Sequence, residues 1–373
     1  MTAGNYQICT RCIMDTSDPD IAFDAQGICN HCHTYDTAIR RYVITGEAGK
    51  RYTLALVDKI KRTGAKKPYD CLIGLSGGVD STYVAYKVKQ YGLRPLALHL
   101  DNGWDSELAV KNIENVCNKL NIDLHTTVLD WEEFRELQIA FLRAATPDAE
   151  IPSDHAITAS AVHSARQIGV SFIITGNNLR TETHVPRAWS QGHLDWRYIR
   201  SVNKAHGSGP LRSFPHLGML DFHLHPWNKK FVNILNYIDY SKKNAITLLE
   251  KELGWKYYGG KHYESIYTRW YQGFYLPQKF GYDKRRSHLS SLICSGEITR
   301  QEALQTMQDT EYSVTLQKQD TAYVIKKLGL SEDEFQAIMH LPKKKYSDYR
   351  SYGQIYRTRL FGLLRKFYRA VHL

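Results

Sequence analysis

The sequence predicts an α/β protein: a parallel, doubly wound sheet with a zinc-binding cysteine module before it and a mainly helical region after it. Three observations predict this. Between Tyr69 and Thr175 short apolar runs alternate with helical patterns, and that alternation places a parallel sheet between two helical layers. The run Leu72-Ile73-Gly74-Leu75 leads into Ser76-Gly77-Gly78-Val79-Asp80-Ser81, a glycine-rich turn that opens a helix. Two C-x-x-C pairs, Cys9/Cys12 and Cys29/Cys32, stand ahead of the sheet.

The elements follow in order. Residues 1–40 form the cysteine-rich module, and 41–68 a basic helical connector carrying Lys59, Lys61, Arg62, Lys66 and Lys67 and closed by Pro68. The α/β domain, 69–230, is expected to contain strand 70–75, helix 81–91, strand 95–100, helix 106–120, strand 123–128, helices 132–145 and 155–168, and strand 170–175. Ligands of such sheets sit beyond the carboxyl ends of the strands, where Ser76, Asp101-Asn102, Asp130 and Gly176-Asn177-Asn178 all fall. Residues 180–230 are aperiodic and rich in His and Trp, including His184, His193, Trp196, His216, His223, His225 and Trp227. Residues 231–373 read as mainly helical, broken at Gly259-Gly260 and Pro277, and are expected to bind substrate or a partner.

The glycine-rich turn is a phosphate cradle. Backbone N–H groups at the helix start and the hydroxyls of Ser76 and Ser81 can surround an anion where the helix dipole favours negative charge. Asp80 fits there only if a cation bridges it to the phosphates, which implies magnesium. The pattern resembles the PP-loop of ATP pyrophosphatases, enzymes that split ATP into AMP and pyrophosphate. A Walker loop at 44–51 is excluded, because Ile44 replaces its first glycine and Arg51 its Ser/Thr.

The chain of 373 residues carries a formal charge of +11, which suggests an anionic partner without choosing among nucleotide, nucleotide-sugar, RNA and membrane surface. No apolar run spans a bilayer and no signal-peptide core is visible, so a cytoplasmic protein is expected. Seven cysteines in that compartment fit a metal better than disulfides. Sixteen residues separate the two C-x-x-C pairs, so two tight turns can each offer two thiolates to one ion. Four sulfurs favour a closed, structural zinc site, with an iron–sulfur cluster as the alternative. His31 and His33 flank Cys32 and are alternative ligands.

Longer segments narrow the resemblance. Cys-Thr-Arg-Cys-Ile-Met-Asp-Thr at 9–16, Gly-Ile-Cys-Asn-His-Cys at 27–32, the PP-loop, Pro-Ser-Asp-His-Ala-Ile at 152–157, Gly-Gly-Lys-His-Tyr-Glu-Ser at 259–265 and Lys-Phe-Gly-Tyr-Asp-Lys-Arg-Arg-Ser-His-Leu-Ser at 279–290 together resemble the N-acetyl sugar amidotransferases of bacterial surface-polysaccharide and flagellin-sugar biosynthesis. The resemblance implies a PP-loop sheet of the adenine nucleotide alpha hydrolase type. It also implies conversion of an N-acetyl group on a nucleotide-linked sugar, such as a lipopolysaccharide O-antigen precursor, into an acetamidino group with ATP and ammonia.

The implied roles are as follows. Ser76, Gly77, Gly78 and Ser81 hold the departing pyrophosphate and Asp80 its magnesium, while Leu100 and Asp101 meet the adenosine. Gly176 and Asn177 close the nucleotide site, and Glu182 is a second magnesium candidate. Lys261 and Arg269 reach the triphosphate from the opposite side, or else merely start a surface helix, and His262 and Glu264 of the same cluster face the sugar. Lys284, Arg285 and Arg286 hold its diphosphate or a uronate carboxylate. Asp154 and His155 serve the acceptor side, with a helix N-cap as the alternative for Asp154.

Two rival readings stand beside this one. A tRNA thiolation enzyme also joins a PP-loop to cysteine modules, but Cys71, Cys117 and Cys294 form no C-x-x-C pair for sulfur chemistry. A non-catalytic zinc-ribbon protein that binds nucleic acid has no use for an intact PP-loop. No glutaminase nucleophile is recognisable, so the resemblance implies a separate glutaminase and a cyclase-like, ammonia-channelling subunit. Residues 343–373 are a candidate docking segment, since basic residues accompany Tyr352, Tyr356, Leu360, Leu363, Phe367 and Val371 at helical spacing; packing of this stripe on the domain itself is the reading preferred over docking, and peripheral membrane contact is a further alternative.

Overall fold

The computed structural model describes residues 6–218, 221, 231–260, 263–308 and 312–356. Five parallel strands form one sheet: β1 (Cys71–Gly74), β2 (Pro95–Asp101), β3 (Asp123–Val128), β4 (Ile173–Thr175) and β5 (Phe231–Asn233), in the order β3-β2-β1-β4-β5. The chain winds outward from β1 to β3 and then returns to lay β4 on the other side of β1. Strand order reverses between β1 and β4, and the crevice at such a reversal is where open parallel sheets take ligands.

The helices up to the last strand are α1 (Asn30–Tyr42), α2 (Gly46–Gly64), α3 (Val79–Gln90), α4 (Glu107–Leu120), α5 (Trp131–Ala144), α6 (Ile151–Gln167), α7 (Leu179–Glu182) and α8 (Trp196–His206), and α9 (Lys242–Leu253) follows it. Side chains of a strand alternate between faces, and β1 uses both. Cys71 and Ile73 pack with Val84 and Val88 of α3, Ile113 and Val116 of α4, and Leu249 of α9, whereas Leu72 packs with Ala159, Val162 and Ala165 of α6. Both faces of the central strand are therefore covered by helices, as the sequence predicts.

Three expectations need correction. The α/β domain does not end at 230, because β5 pairs with β4 and α9 packs on α3. The connector is helical as expected but is not set apart from the α/β domain: Val57 and Ile60 of α2 join the sheet's core, and the Thr53 hydroxyl donates to the Tyr237 carbonyl at 3.1 Å. Edge strand β3, whose sequence Asp-Leu-His-Thr-Thr-Val is mostly polar, is largely exposed rather than covered. Asp130 after it is the N-cap of α5, accepting from the Glu133 N–H at 2.9 Å.

The C-terminal helices are α10 (Ile266–Trp270), α11 (Leu276–Phe280), α12 (Lys284–Ser295), α13 (Arg300–Gln308), α14 (Val314–Leu328), α15 (Glu332–His340) and α16 (Tyr352–Tyr356). A π-helical turn, Tyr271–Tyr275, joins α10 to α11 without a break, so Pro277 does not interrupt the helix as expected. Tyr267, Trp270, Tyr271 and Tyr275 of this run share one core with Phe134, Leu137 and Phe141 of α5 and Ile199 and Val202 of α8. Among the described residues no helix is long and apolar enough to cross a membrane.

Candidate active site

The loop between β1 and α3 has the conformation a phosphate cradle needs. Gly77 has φ +78°, and a Cβ there would stand 2.7 Å from the Ala109 carbonyl oxygen, so glycine is required twice over. The Trp255 indole N–H donates to the Gly77 carbonyl at 2.8 Å and fixes the turn from outside. The Ser76 and Ser81 hydroxyls lie 3.2 Å apart, and the Gly78 N–H donates to Ser76 Oγ at 3.3 Å. From the other side a Cβ on Gly176 would stand 2.9 Å from the Ser81 nitrogen, so only glycine lets the end of β4 approach the start of α3. Asn177 beside it is exposed.

Oxygen atoms ring this helix start. The Val79 N–H bonds the Tyr258 hydroxyl. That hydroxyl and Glu264 Oε1 would lie 3.2 and 3.5 Å from a Cβ on Gly78. Asp80 accepts from the Tyr240 hydroxyl. Burial, then the Asp80, Glu297 and Glu182 carboxylates, push the Tyr240 phenol well above its usual range. Burial likewise raises the Glu297 carboxyl, with the Asp80 charge adding to it. The charges of three carboxylates, Asp80, Glu182 and Glu297, thus act on one tyrosine near the loop. After β2, Asp101 Oδ1 accepts from the Gly103 N–H at 2.8 Å, and Leu100 packs against the aromatic core. His99 Nδ1 must donate to the Leu75 carbonyl at 3.2 Å while Nε2 meets Asp105 Oδ2 at 3.1 Å. Burial opposes charge on that imidazole, but the Asp105 bond and charge, the Leu75 carbonyl and the Asp101 charge together outweigh it and raise the pKa.

A second polar group lies at the N-terminus of α6, reached from β2 through the Asn102 amide, which donates to Ser153 Oγ at 3.2 Å. His193 Nε2 faces Ser190 Oγ at 2.8 Å, Asp148 Oδ2 at 3.3 Å and Asp154 Oδ2 at 3.4 Å. Lys284 pairs with Glu150 at 2.9 Å, and Gln272 donates to the same carboxylate at 2.8 Å. Burial works against the imidazolium, yet Asp148 and Asp154 hold His193 up at about 9. Burial would raise Asp148 too, but Lys284 and His193 draw it down to about 2. Asp154 goes the other way, to about 6, because burial and the Asp148 and Glu150 charges exceed the help from His193. Its side chain remains 48% accessible, so the carboxyl stands on the wall of an open recess within the protein. An acid and a base with separated pKa values, facing each other at 3.4 Å, can move a proton.

The cysteine module converges on one point. Tetrahedral zinc with bonds of about 2.3 Å sets its sulfurs about 3.8 Å apart; the separations are 3.6 Å for Cys12–Cys29, 3.8 Å for Cys29–Cys32 and 3.9 Å for Cys9–Cys32. Backbone N–H groups of Cys12, Met14 and Cys29 point at these sulfurs at 3.3–3.4 Å, as thiolates require. The four buried cysteines could hold zinc, and the space between them suits one ion rather than an iron–sulfur cluster. His31 and His33 turn away to Asp18 and Asp24, at 2.7 and 2.8 Å.

Comparison with known proteins adds three findings. Residues 264–362 match the family model described as LPS biosynthesis protein WbpG-like, C-terminal domain. A tRNA-specific 2-thiouridylase MnmA of Pseudoalteromonas translucida is 32% identical over 126 residues, 30% of this chain and 34% of that protein. The corresponding enzyme of Serratia proteamaculans is 30% identical over the same shares. The chain thus spans about a third of the length of these relatives. Among solved structures, the NMN synthetase of Francisella tularensis superposes with TM-score 0.33 at 14% identity, covering 80% of this chain and 99% of that one. The NH3-dependent NAD synthetase of Campylobacter jejuni gives 0.30 at 15%, covering 42% and 72%. The loop geometry is that of a phosphate cradle.

Several expected roles do not survive. His155 is fully buried and neutral: Nδ1 donates to the His193 carbonyl at 2.8 Å and Nε2 accepts from the Leu217 N–H at 3.1 Å, while burial lowers it to about 4. It is a core residue, not a catalyst. Arg269 makes two 2.8 Å bonds to Asp320, so its guanidinium is committed inside the helical region and not to triphosphate. The basic run 284–286 forms no single patch, because helical spacing sends each residue elsewhere. Lys284 goes to buried Glu150, Arg285 to Asp283 of its own cap, and Arg286 to Asp15 at 3.1 Å and the Ile13 carbonyl at 2.9 Å. Glu264, expected to face the sugar, lies at the PP-loop. Lys261 and His262 lie outside the described residues, as do His223, His225 and Trp227. Tyr240, Trp255, Tyr258, Glu297, Asp148 and His193 carried no local motif, and only their convergence in space marks them.

Proposed function

We propose that the protein is an ATP-dependent amidotransferase that turns the N-acetyl group of a nucleotide-linked sugar into an acetamidino group for lipopolysaccharide O-antigen synthesis. The observation that carries this reading is a PP-loop together with a partly exposed acid–base pair, Asp154 and His193, in a chain whose C-terminal part matches a lipopolysaccharide biosynthesis domain. An amide carbon is a poor electrophile and its oxygen a poor leaving group. Adenylation answers both: the amide oxygen attacks the α-phosphate of ATP, and pyrophosphate leaves. Ammonia then adds to the carbon, loses a proton, and AMP departs with the oxygen.

In this scheme Ser76, Gly78 and Ser81 hold the departing pyrophosphate by hydrogen bonds at the positive end of α3. Asp80, with Glu182, Glu264 and Glu297 nearby, would hold magnesium, which when bound neutralises phosphate charge. Asp154, largely ionised at neutral pH with its pKa near 6, takes the proton lost by the attacking ammonia, and the His193 imidazolium keeps that carboxylate in place. Zinc at Cys9, Cys12, Cys29 and Cys32 would be structural. A separate glutaminase and a channelling subunit would supply ammonia; their candidate docking segment falls largely at 357–373, outside the described residues.

The thiouridylase similarity favours a second reading, sulfur transfer to tRNA. Against it, Cys71 and Cys117 are buried in the sheet core and Cys294 lies beside Cys32, so none of these thiols stands at the PP-loop. Incubation with ATP, ammonium and UDP-linked N-acetyl sugars distinguishes the two. The expected product is lighter by about one mass unit, the difference between oxygen lost and NH gained, with AMP and pyrophosphate formed alongside. Asp80→Asn is expected to abolish turnover and leave the melting temperature within a degree or two. ADP and phosphate as products, or an active variant, would sink the reading.

A further inference from the structure

Cys294 stands 262 residues from Cys32 in sequence, yet their sulfurs are 3.8 Å apart. Its sulfur also faces His184 Nε2 at 3.6 Å. We propose that Cys32, His184 and Cys294 hold a second zinc ion, with the Cys32 thiolate bridging it to the ion of the four-cysteine site.

Three observations carry this. The first is distance: zinc bonds of about 2.3 Å to sulfur and about 2.0 Å to nitrogen set a tetrahedral S–S edge near 3.8 Å and an S–N edge near 3.5 Å. The two measured edges match, and all three ligand atoms lie within 4.8 Å of one another. The second is the tautomer of His184, which its surroundings dictate. Ser291 Oγ donates to the Ser287 carbonyl at 3.2 Å, so towards His184 it can only accept. It accepts from the backbone N–H at 3.3 Å and therefore from Nδ1–H at 3.0 Å. Nε2 then carries the lone pair, aimed at Cys294, which is how a second hydrogen-bonded residue prepares a ligating histidine. The third is charge. Four thiolates around one divalent ion leave excess negative charge among buried residues, and a second divalent ion arriving with a single further thiolate reduces it.

The set Cys, Cys, His leaves a fourth corner. Cys294 borders a recess of about 550 Å³ with Tyr35, Arg180 and Ser295, so that corner opens to solvent and takes water or a small anion. Sequence spacing cannot reveal such a site, because its ligands come from the module, the loop after α7 and helix α12.

Metal analysis of the full chain, purified anaerobically with zinc in the buffer, tests the proposal independently of the sugar reaction. Two zinc ions per chain are expected, falling to one in Cys294→Ser and in His184→Gln, and staying at two in the control Cys117→Ser. Competition with a chromophoric chelator should release zinc from the wild-type chain in two steps, the weaker absent from Cys294→Ser. This second readout needs only native protein if His184→Gln folds poorly. One zinc in the wild type, two in Cys294→Ser, or a Cys32–Cys294 disulfide in the anaerobic protein would overturn it.

Discussion

Asp154 and His155 are neighbours in sequence with opposite fates, because successive residues of a helix point about 100° apart. His155 turns into the core and spends both nitrogens on backbone groups. Asp154 turns to the recess, where its raised pKa affects both activity and stability. The protonated form is favoured in the fold, so the stability Asp154 contributes is present below its unfolded pKa near 4 and lost as pH rises through about 6. Asp154→Asn should therefore melt higher than the parent at pH 7 and show little difference at pH 4. With free NH3 held constant, the parent's kcat/KM should rise through about pH 6 as Asp154 ionises and fall near 9 as His193 loses its proton. The variant should lose most activity and the acid limb with it; an unchanged profile would remove Asp154 from the proton path. Asp80 was legible in sequence because strand, glycines and serines surround it locally. His193 was not, since its partners Asp148 and Asp154 lie about forty residues away and Lys284 farther still.

At the scale of elements, the first four strands were legible because each is a short run between turn or helix signals, whereas β5 is three residues, Phe-Val-Asn, with no pattern of its own. The continuous helix through Pro277 was hidden for a related reason, since a π-turn is set by packing of Tyr271 and Tyr275 rather than by propensity. What supports the PP-loop was equally silent. Residues of 255–260 and 263–265 support it: Trp255 holds Gly77, Tyr258 and Glu264 flank Gly78, and the Ser106 N–H donates to the Glu264 carbonyl at 2.8 Å. Trp255→Phe keeps an aromatic ring in the core but removes the donor and part of the indole, leaving a buried carbonyl unpaired at a cost of about 1–3 kcal/mol beside the packing lost. Because that carbonyl orients the loop, KM for ATP should rise about tenfold while the far-ultraviolet spectrum stays native. A lowered melting temperature with unchanged ATP kinetics would mean that the indole supports the core alone.

At the scale of the molecule, among the described residues, the cysteine module and the C-terminal helices are one structure. Arg300 on α13 donates to the Cys9 and Cys12 carbonyls, both at 3.0 Å, and Arg286 on α12 grips Ile13 and Asp15. The Ile13 N–H adds a bond to Ser290 Oγ at 3.2 Å. The module that the sequence suggested as a separate unit is thus clamped by cations of the C-terminal region, and the backbone turns presenting its thiolates are fixed from outside. Two charged donors on two carbonyls contribute about 1.5–3 kcal/mol each before relaxation. Arg300→Ala should therefore loosen both knuckles and speed zinc loss to a chelator by at least about tenfold, the equivalent of about 1.4 kcal/mol. Arg285→Ala, which removes an exposed pair with Asp283 within its own helix cap, is the control expected to change little. Equal zinc-loss rates in the two variants would show that the module holds its metal without the C-terminal helices. A faster rate confined to Arg300→Ala would show that metal retention depends on the assembled chain.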